Sequence, residues 1–336
     1  MLALIMTGPS QGADRTEIRE IKEPRPGPGE VTIDVTHAGI NFLDVMARRG
    51  DAGYVTAWPY APGLEVSGTV RETGPDVTGL AAGQKVAAFT AGGGLAEVVL
   101  APAGFVVPVP GQVPSPAAAA APLMLTTALL LLQDAASFQP GKTVLVHSAS
   151  GGVGSAVAQL VPLLGGGLRI GTVGRPGKVT SALRSGYDAA IARGEDLAEA
   201  IRAAADGAQV DIVLDPLGTT MLETDLAVTA PGGRIVLFGN AGGQEQAPLP
   251  PAGRLIGGNL AIGGFSITRL WATAPDRASA GLRRVLDLVT EGRLNIAITE
   301  VGSLADVPAV HQLLAEGRGD GKYVARLQGS HAQPAD

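Results

Sequence analysis

The 336-residue chain is 46% hydrophobic, 17% charged and 4% aromatic, with 48 glycines, 24 prolines and a formal charge of -6; this composition allows two packed domains and excludes disorder over most of the length. The negative balance, with no dense run of Lys or Arg, excludes a nucleic-acid surface, because phosphate backbones are held by clustered cations. The absence of cysteine excludes disulfides, thiolate nucleophiles and Cys-ligated zinc, and His37, His147, His311 and His331 are the only imidazoles.

In chain order, MLALIMTGPSQGAD begins apolar but lacks the basic n-region of a secretory leader. Four Val- and Ile-rich runs follow, punctuated by Gly and Pro: EVTIDVTHAG, EVSGTVRETG, QKVAAFTAGG and LAEVVLAPAG. Their spacing is that of an antiparallel, barrel-like sheet, and NFLDVMARRG is its one long helical stretch. The run AAAAAPLMLTTALLLLQDAA comes nearest to the roughly 18 uncharged apolar residues that a membrane span needs. Pro122 and the Thr126–Thr127 pair make it a buried helix instead. The expectation is a cytoplasmic protein with no membrane contact.

From about residue 119 the pattern changes. TVLVHS, LRIGTV, VDIVLDPL, GRIVLFGN and LAIGGF are short apolar runs, and the segments between them, such as EDLAEAIRAAA, have helical periodicity, which predicts a doubly wound parallel sheet. Beyond residue 265, DRASAGLRRVLDLVTEGRL and SLADVPAVHQLLAEG read as amphipathic helices and GKYVARL as a closing strand. The polar tail GSHAQPAD has no such pattern and is expected to be mobile.

Residues 144–160, VLVHSASGGVGSAVAQL, place Ala149, Gly151 and Gly154 on the three positions of a G-x-G-x-x-G fingerprint between a strand and a helix. Small residues are needed there because the turn is tight, the backbone approaches a pyrophosphate, and the helix start offers free N–H groups at a positive dipole end. Glycine turns also occur only to pack strand on helix; the repeated strand–helix context favours a dinucleotide. Pro162 is expected to kink or end the following helix early.

An NAD enzyme places Asp or Glu about twenty residues further on, where it binds the ribose hydroxyls. Here Val173 holds that position, followed by Gly174 and Arg175, with Lys178 and Arg193 as further cations. An acid would repel a 2′-phosphate, whereas a guanidinium suits one, so the predicted cofactor is NADPH. Each of these cations also has a bland reading as a solvated surface charge.

Several segments together resemble the zinc-independent quinone oxidoreductases of the medium-chain dehydrogenase/reductase superfamily: AGINFLDVMARRG, APGLEVSGTVRETGPDVTGLAAGQKV, LTTALLLL, the SASGGVG turn, VDIVLDPLG, GGRIVLFGNAGG and GKYVARL. The resemblance implies a GroES-like β-barrel catalytic domain over 1–118 and 265–336, and a Rossmann doubly wound parallel sheet domain over 119–264 that binds NADPH. Where zinc enzymes of that superfamily carry a Gly-His-Glu run, this chain has Gly63, Leu64 and Glu65. Leu cannot ligate, so no metal is expected, and Glu65 reads as a carboxylate paired with a neighbour.

By the same resemblance, Asn41 and Thr127 lie by the nicotinamide, Ser150, Gly152 and Val153 belong to the phosphate turn, and Phe238, Gly239, Asn240 and Phe265 line the cofactor. Each also has a structural reading: Asn41 as a helix cap, Thr127 bonded to its own helix, Phe238 in the core. The family's tyrosine position holds Ala52, which leaves Tyr54 as the candidate proton donor or, with Trp58, a pocket wall. His147 and His311 read as structural, and His37 as a residue that lines the cleft.

Without a Lewis acid to hold an alkoxide, alcohol oxidation loses its electrophile, whereas conjugate hydride addition gives a delocalised enolate. The expected reaction is NADPH-dependent reduction of a quinone or of the activated C=C bond of an α,β-unsaturated carbonyl. Two other readings stay open: an enoyl-thioester reductase acting on polyketide or fatty-acyl intermediates, and a non-catalytic NADPH-binding protein. A homodimer formed through NLAIGGFSI, a candidate edge strand, is expected.

Overall fold

The computed structural model describes residues 1–327; the tail expected to be mobile, with His331, lies outside the described residues. The chain divides into two compact units, Met1–Thr126 with the segment from Ile267 onward, and Thr127–Ser266. The first of these extends past residue 118. The Ser115–Ala119 helix and the wide π-type turn Ala121–Leu125 pack on strands of the first unit and belong with them.

In the first unit the strands are β1 (Leu2–Met6), β2 (Thr16–Glu20), β3 (Glu30–Ile40), β4 (Glu65–Thr73), β5 (Lys85–Phe89), β6 (Val98–Pro102) and β7 (Val106–Pro108). The second unit contributes β8 (Val144–His147), β9 (Arg169–Val173), β10 (Ala189–Ala192), β11 (Val210–Asp215), β12 (Thr229–Leu237) and β13 (Ala261–Gly264). The chain then closes with β14 (Ile298–Val301) and β15 (Lys322–Arg326), which join the sheet of the first unit in the order β14-β15-β3-β4-β5-β7, with β6 also paired to β3.

β3 organises this sheet because it is long enough to serve several partners. Its first half pairs antiparallel with β6, its last residues pair antiparallel with β15, and β4 runs alongside most of it. Val31, Ile33 and Val35 point to one face and are fully buried, and Thr32 between them is buried on the other. They meet Val66, Val70, Val86, Leu304 and Val307 in one apolar core. A second apolar group forms where Phe89 and Trp271 stack with centroids 5.3 Å apart.

In the second unit six strands lie in the order β10-β9-β8-β11-β12-β13, and every pairing is parallel. Counted within the unit this is 3-2-1-4-5-6, the Rossmann order, with its reversal between β8 and β11. The helix after the glycine turn runs Gly152–Leu163 with Pro162 in its last turn, and the Ala158 carbonyl that Pro162 cannot serve accepts from Arg169 Nη1 at 3.2 Å instead. β1, β2, β7 and β14 are not foreshadowed by the sequence pattern; they are strands of three to five residues. Among the described residues no helix is long and apolar enough to cross a membrane.

Candidate active site

Because all strands of the second unit run in one direction, the residues that follow their carboxyl ends share one edge of the sheet. The glycine turn with Ser150 follows β8; Gly174, Arg175 and Lys178 follow β9; Arg193 follows β10. Phe238, Gly239 and Asn240 follow β12, and Phe265 follows β13, its N–H donating to the Leu237 carbonyl at 2.9 Å. Phe238 is half-buried rather than part of the core, and its N–H donates to the Asp215 carbonyl at 2.9 Å.

The turn itself is built from residues that leave the backbone room. Ser148 takes φ 57°, a left-handed conformation that turns the chain sharply out of β8. Gly151 caps the helix in an extended conformation, and the first backbone bond to return along the helix runs from Ser155 N–H to the Gly151 carbonyl at 2.9 Å. The N–H groups of Gly152, Val153 and Gly154 therefore have no partner within the helix. A Cβ on Gly154 would lie 2.6 Å from the Ala149 carbonyl oxygen and 2.8 Å from its Cα. Ala149, the departure from the glycine fingerprint, is accommodated because residue 171 on the neighbouring strand is glycine: a Cβ there would come within 2.5 Å of the Ala149 Cβ.

Arg193 lies against Gly174, where an added Cβ would be 3.0 Å from Nη2. Its Nη1 is buried and has no hydrogen-bond partner among the described residues, and burial lowers the guanidinium's pKa, opposed by Asp215. Beneath this edge, His147 Nδ1 is 2.6 Å from Thr172 Oγ1 and Nε2 is 2.7 Å from Asp225 Oδ1, all enclosed. The imidazole is thus held within the sheet by two polar partners. Thr127, in the helix Thr126–Leu130, is buried. Its neighbour Thr126, not Thr127, bonds back to the helix, donating to the Ala121 carbonyl at 2.8 Å.

The first unit contains a polar network that sequence reading touched only at Glu65 and Asn41. Strand register creates it: Tyr323 opposes Ile40 and Ala38 opposes Val66, so Lys322 falls beside Asn41 and Glu65 beside Gly39. The Lys322 ammonium donates to Glu65 Oε1, to Asn41 Oδ1 at 2.7 Å and to the Ile40 carbonyl at 3.0 Å. Glu65 Oε1 also accepts from Asn41 Nδ2 at 3.0 Å, and Oε2 accepts from the backbone N–H of Leu123 at 2.7 Å and of Met124 at 3.3 Å. Gly39 is required here, because any Cβ would overlap the Glu65 carboxylate.

Asn41 also begins the helix Phe42–Arg49, with Asp44 Oδ2 accepting from its backbone N–H at 2.8 Å. Its amide is oriented by charge: Oδ1 faces the ammonium and Nδ2 faces Glu65 and the Gly39 carbonyl, the latter at 3.2 Å. Both amide hydrogens are therefore engaged. Asp44 Oδ1 further accepts from Gly63 N–H at 3.1 Å, and His311 Nε2, fully buried, is 3.8 Å from Asp44 Oδ2. His37 Nε2 is 3.4 Å from Glu300 Oε2, and burial lowers its pKa. The half-buried Tyr54 has its phenol pKa raised by burial and by Asp51.

Comparison with known proteins decides the family. Residues 27–111 match the alcohol dehydrogenase GroES-like domain and residues 152–291 the zinc-binding dehydrogenase domain. The chain is 31% identical over 319 residues to the quinone oxidoreductase of Pseudomonas aeruginosa, covering 93% of this chain and 96% of that protein. The chain belongs to the zinc-independent quinone oxidoreductase family of the medium-chain dehydrogenases/reductases. The crystal structure of Escherichia coli quinone oxidoreductase complexed with NADPH superposes with a TM-score of 0.89 at 26% identity, covering 97% of this chain and 100% of that one. The chain is also 33% identical over 300 residues to the spectinabilin polyketide synthase protein NorB of Streptomyces orinoci. It spans 13% of NorB's length and 57% of that of human synaptic vesicle membrane protein VAT-1 homolog-like.

In this quinone oxidoreductase fold the residues do not fit a catalytic zinc. Leu64 is apolar and buried, both Glu65 oxygens are occupied by Lys322, Asn41 and two backbone N–H groups, and among the described residues no group of three or more His, Cys, Asp or Glu could hold a metal.

Proposed function

We propose that this quinone oxidoreductase family member is an NADPH-dependent reductase of a quinone or of the activated C=C bond of an α,β-unsaturated carbonyl, acting without zinc. The observation that carries this is the sheet edge where a glycine turn with free helix N–H groups meets Gly174, Arg175 and the unpartnered, buried Nη1 of Arg193. NADPH would supply the hydride. Gly152, Val153 and Gly154 would hold its pyrophosphate through backbone N–H groups, and Arg175, Lys178 and Arg193 its 2′-phosphate.

The remaining roles are those of binding and orientation. With both N–H groups engaged, Asn41 offers the second lone pair of Oδ1 and positions rather than protonates. Tyr54 keeps its proton, because burial and Asp51 hold the phenol neutral, and so serves as a hydrogen-bond donor to a carbonyl oxygen. Thr127, Phe238, Gly239, Asn240 and Phe265 orient the nicotinamide half. The similarity to NorB favours a second reading, reduction of an enoyl thioester.

NADPH oxidation followed in parallel with a quinone, a simple enone and a crotonyl thioester separates these readings. Turnover of the thioester alone would overturn the quinone and enone reading, and NADPH binding with no turnover of any acceptor would make the protein a non-catalytic binder. Arg175→Ala is expected to narrow the NADPH-over-NADH preference by about tenfold, the worth of one charge-assisted phosphate contact. Equal affinity for both cofactors in the unaltered protein would remove the phosphate-site assignment. A cytoplasmic homodimer is proposed through β13, which among the described residues pairs on one side only; a monomer mass in sedimentation would contradict it.

A further inference from the structure

Beneath the proposed phosphate-binding edge lies a cluster of buried ionisable groups that the reaction does not use. Asp215 ends β11 and is fully buried; its Oδ1 accepts from Leu217 N–H at 2.6 Å. Its Oδ2 and Asp225 Oδ2 are buried acceptors for which no donor is present among the described residues. A single proton held between the two carboxyls satisfies both, whereas two adjacent carboxylates in this enclosure would leave both oxygens unpaired. The charged or titratable groups facing Asp215 are Asp225 from the Leu222–Val228 helix, His147 from β8 and Arg193 from the segment after β10. His147 is already engaged by Thr172 and Asp225. Arg193 is the group that leads outward to Gly174 and the sheet edge.

We propose that Asp215 is a positioning residue for the cofactor's 2′-phosphate, acting through Arg193, so that NADPH is bound together with a proton on the Asp215–Asp225 pair and NADH is not. The proposal rests on the NADPH reading above. Its logic is competition for one guanidinium. A neutral Asp215 leaves Arg193 without a local counter-charge and open to a phosphate dianion; an ionised Asp215 is a rival partner for Arg193 and a like charge to the phosphate. Phosphate binding therefore favours the neutral acid, and by linkage the neutral acid favours phosphate. Burial, and then the Asp225 charge, push the Asp215 carboxyl up to about 7, so the exchange falls in the physiological range.

Asp215→Asn tests this, because an amide donates to Asp225 as the neutral acid does and cannot ionise. Dissociation constants for NADPH and NADH are measured by nicotinamide fluorescence between about pH 5.5 and 8.5, bracketing an Asp shifted this far from its usual value. In the unaltered protein the NADPH-over-NADH affinity ratio is expected to fall, relative to the variant, by about fivefold or more as pH rises. The 2′-phosphate's own second ionisation, near about pH 6, is common to both proteins and cancels in the comparison.

Calorimetry on the unaltered protein at about pH 7.5, where the 2′-phosphate is already a dianion, in buffers of different ionisation enthalpy, adds a readout that needs no variant: net proton uptake with NADPH and none with NADH. Superimposable ratio profiles, or no proton uptake, would overturn the proposal while leaving the cofactor assignment standing. Failure of NADPH to bind at any pH would overturn both.

Discussion

Replacing Lys322 with methionine is expected to destabilise the first unit by about 3–5 kcal/mol, the cost of leaving one member of a buried ion pair without the other. The Lys322 and Glu65 side chains are 3% and 0% exposed, so no solvent compensates the carboxylate once the ammonium is gone. Methionine would fill most of the volume of the lysine stem, and the loss would therefore report charge rather than a cavity. Glu65 would keep its three N–H donors from Asn41, Leu123 and Met124, but hydrogen bonds alone do not neutralise an enclosed carboxylate.

The double variant Lys322→Met/Glu65→Gln is expected to recover most of this loss, because glutamine still accepts from Leu123 and carries no charge. Both tryptophans, Trp58 and Trp271, lie in the first unit, so urea unfolding followed by their fluorescence reads this unit directly. A loss below about 1 kcal/mol for the single change, the range of exposed pairs, would show that the pair is not the support described here.

Gly154→Val is expected to weaken NADPH binding by about 100-fold, or about 2.7 kcal/mol. The added Cβ would come within 2.6 Å of the Ala149 carbonyl oxygen and 2.8 Å of its Cα, and these are backbone atoms that cannot swing aside. The helix start would have to move away from the turn, carrying the N–H groups of Gly152 and Val153 with it, and a displacement of about 1 Å at a positioned contact can cost about 100-fold. The Tyr187 hydroxyl, which donates to the Gly154 carbonyl at 2.8 Å from a fully enclosed position, opposes such a shift. Gly253→Ala is the control: among the described residues its Cβ would meet nothing within 4 Å, and the affinity should stay within about twofold. Fluorescence titration of both variants checks the pair, and equal losses would mean that close packing at Gly154 is not the cause.

What could be read from residues alone was set by distance along the chain. The glycine turn, the alternation of strands and helices, and the cations at 175, 178 and 193 are visible because strand period, helix period and turn chemistry are local. Parallel strands then gather those positions at one edge, but the alternation suits the order 2-1-3-4-5 as well, so the order 3-2-1-4-5-6 is known only from which strands pair. Ala149 looked like a flaw in the fingerprint, because its compensation, Gly171, lies on a different strand.

Short segments carry the class of fold, the place of the dinucleotide turn and the absence of a histidine where a zinc ligand would stand. Packing, by contrast, pairs Glu65 with Lys322, 257 residues away, engages the Asn41 amide hydrogens in that network, and encloses Asp215, Asp225 and His147 in one cluster. The reason is physical: a buried charge takes its character from whatever strand register and packing bring beside it, and a single lysine near the end of a chain gives no local sign of its partner.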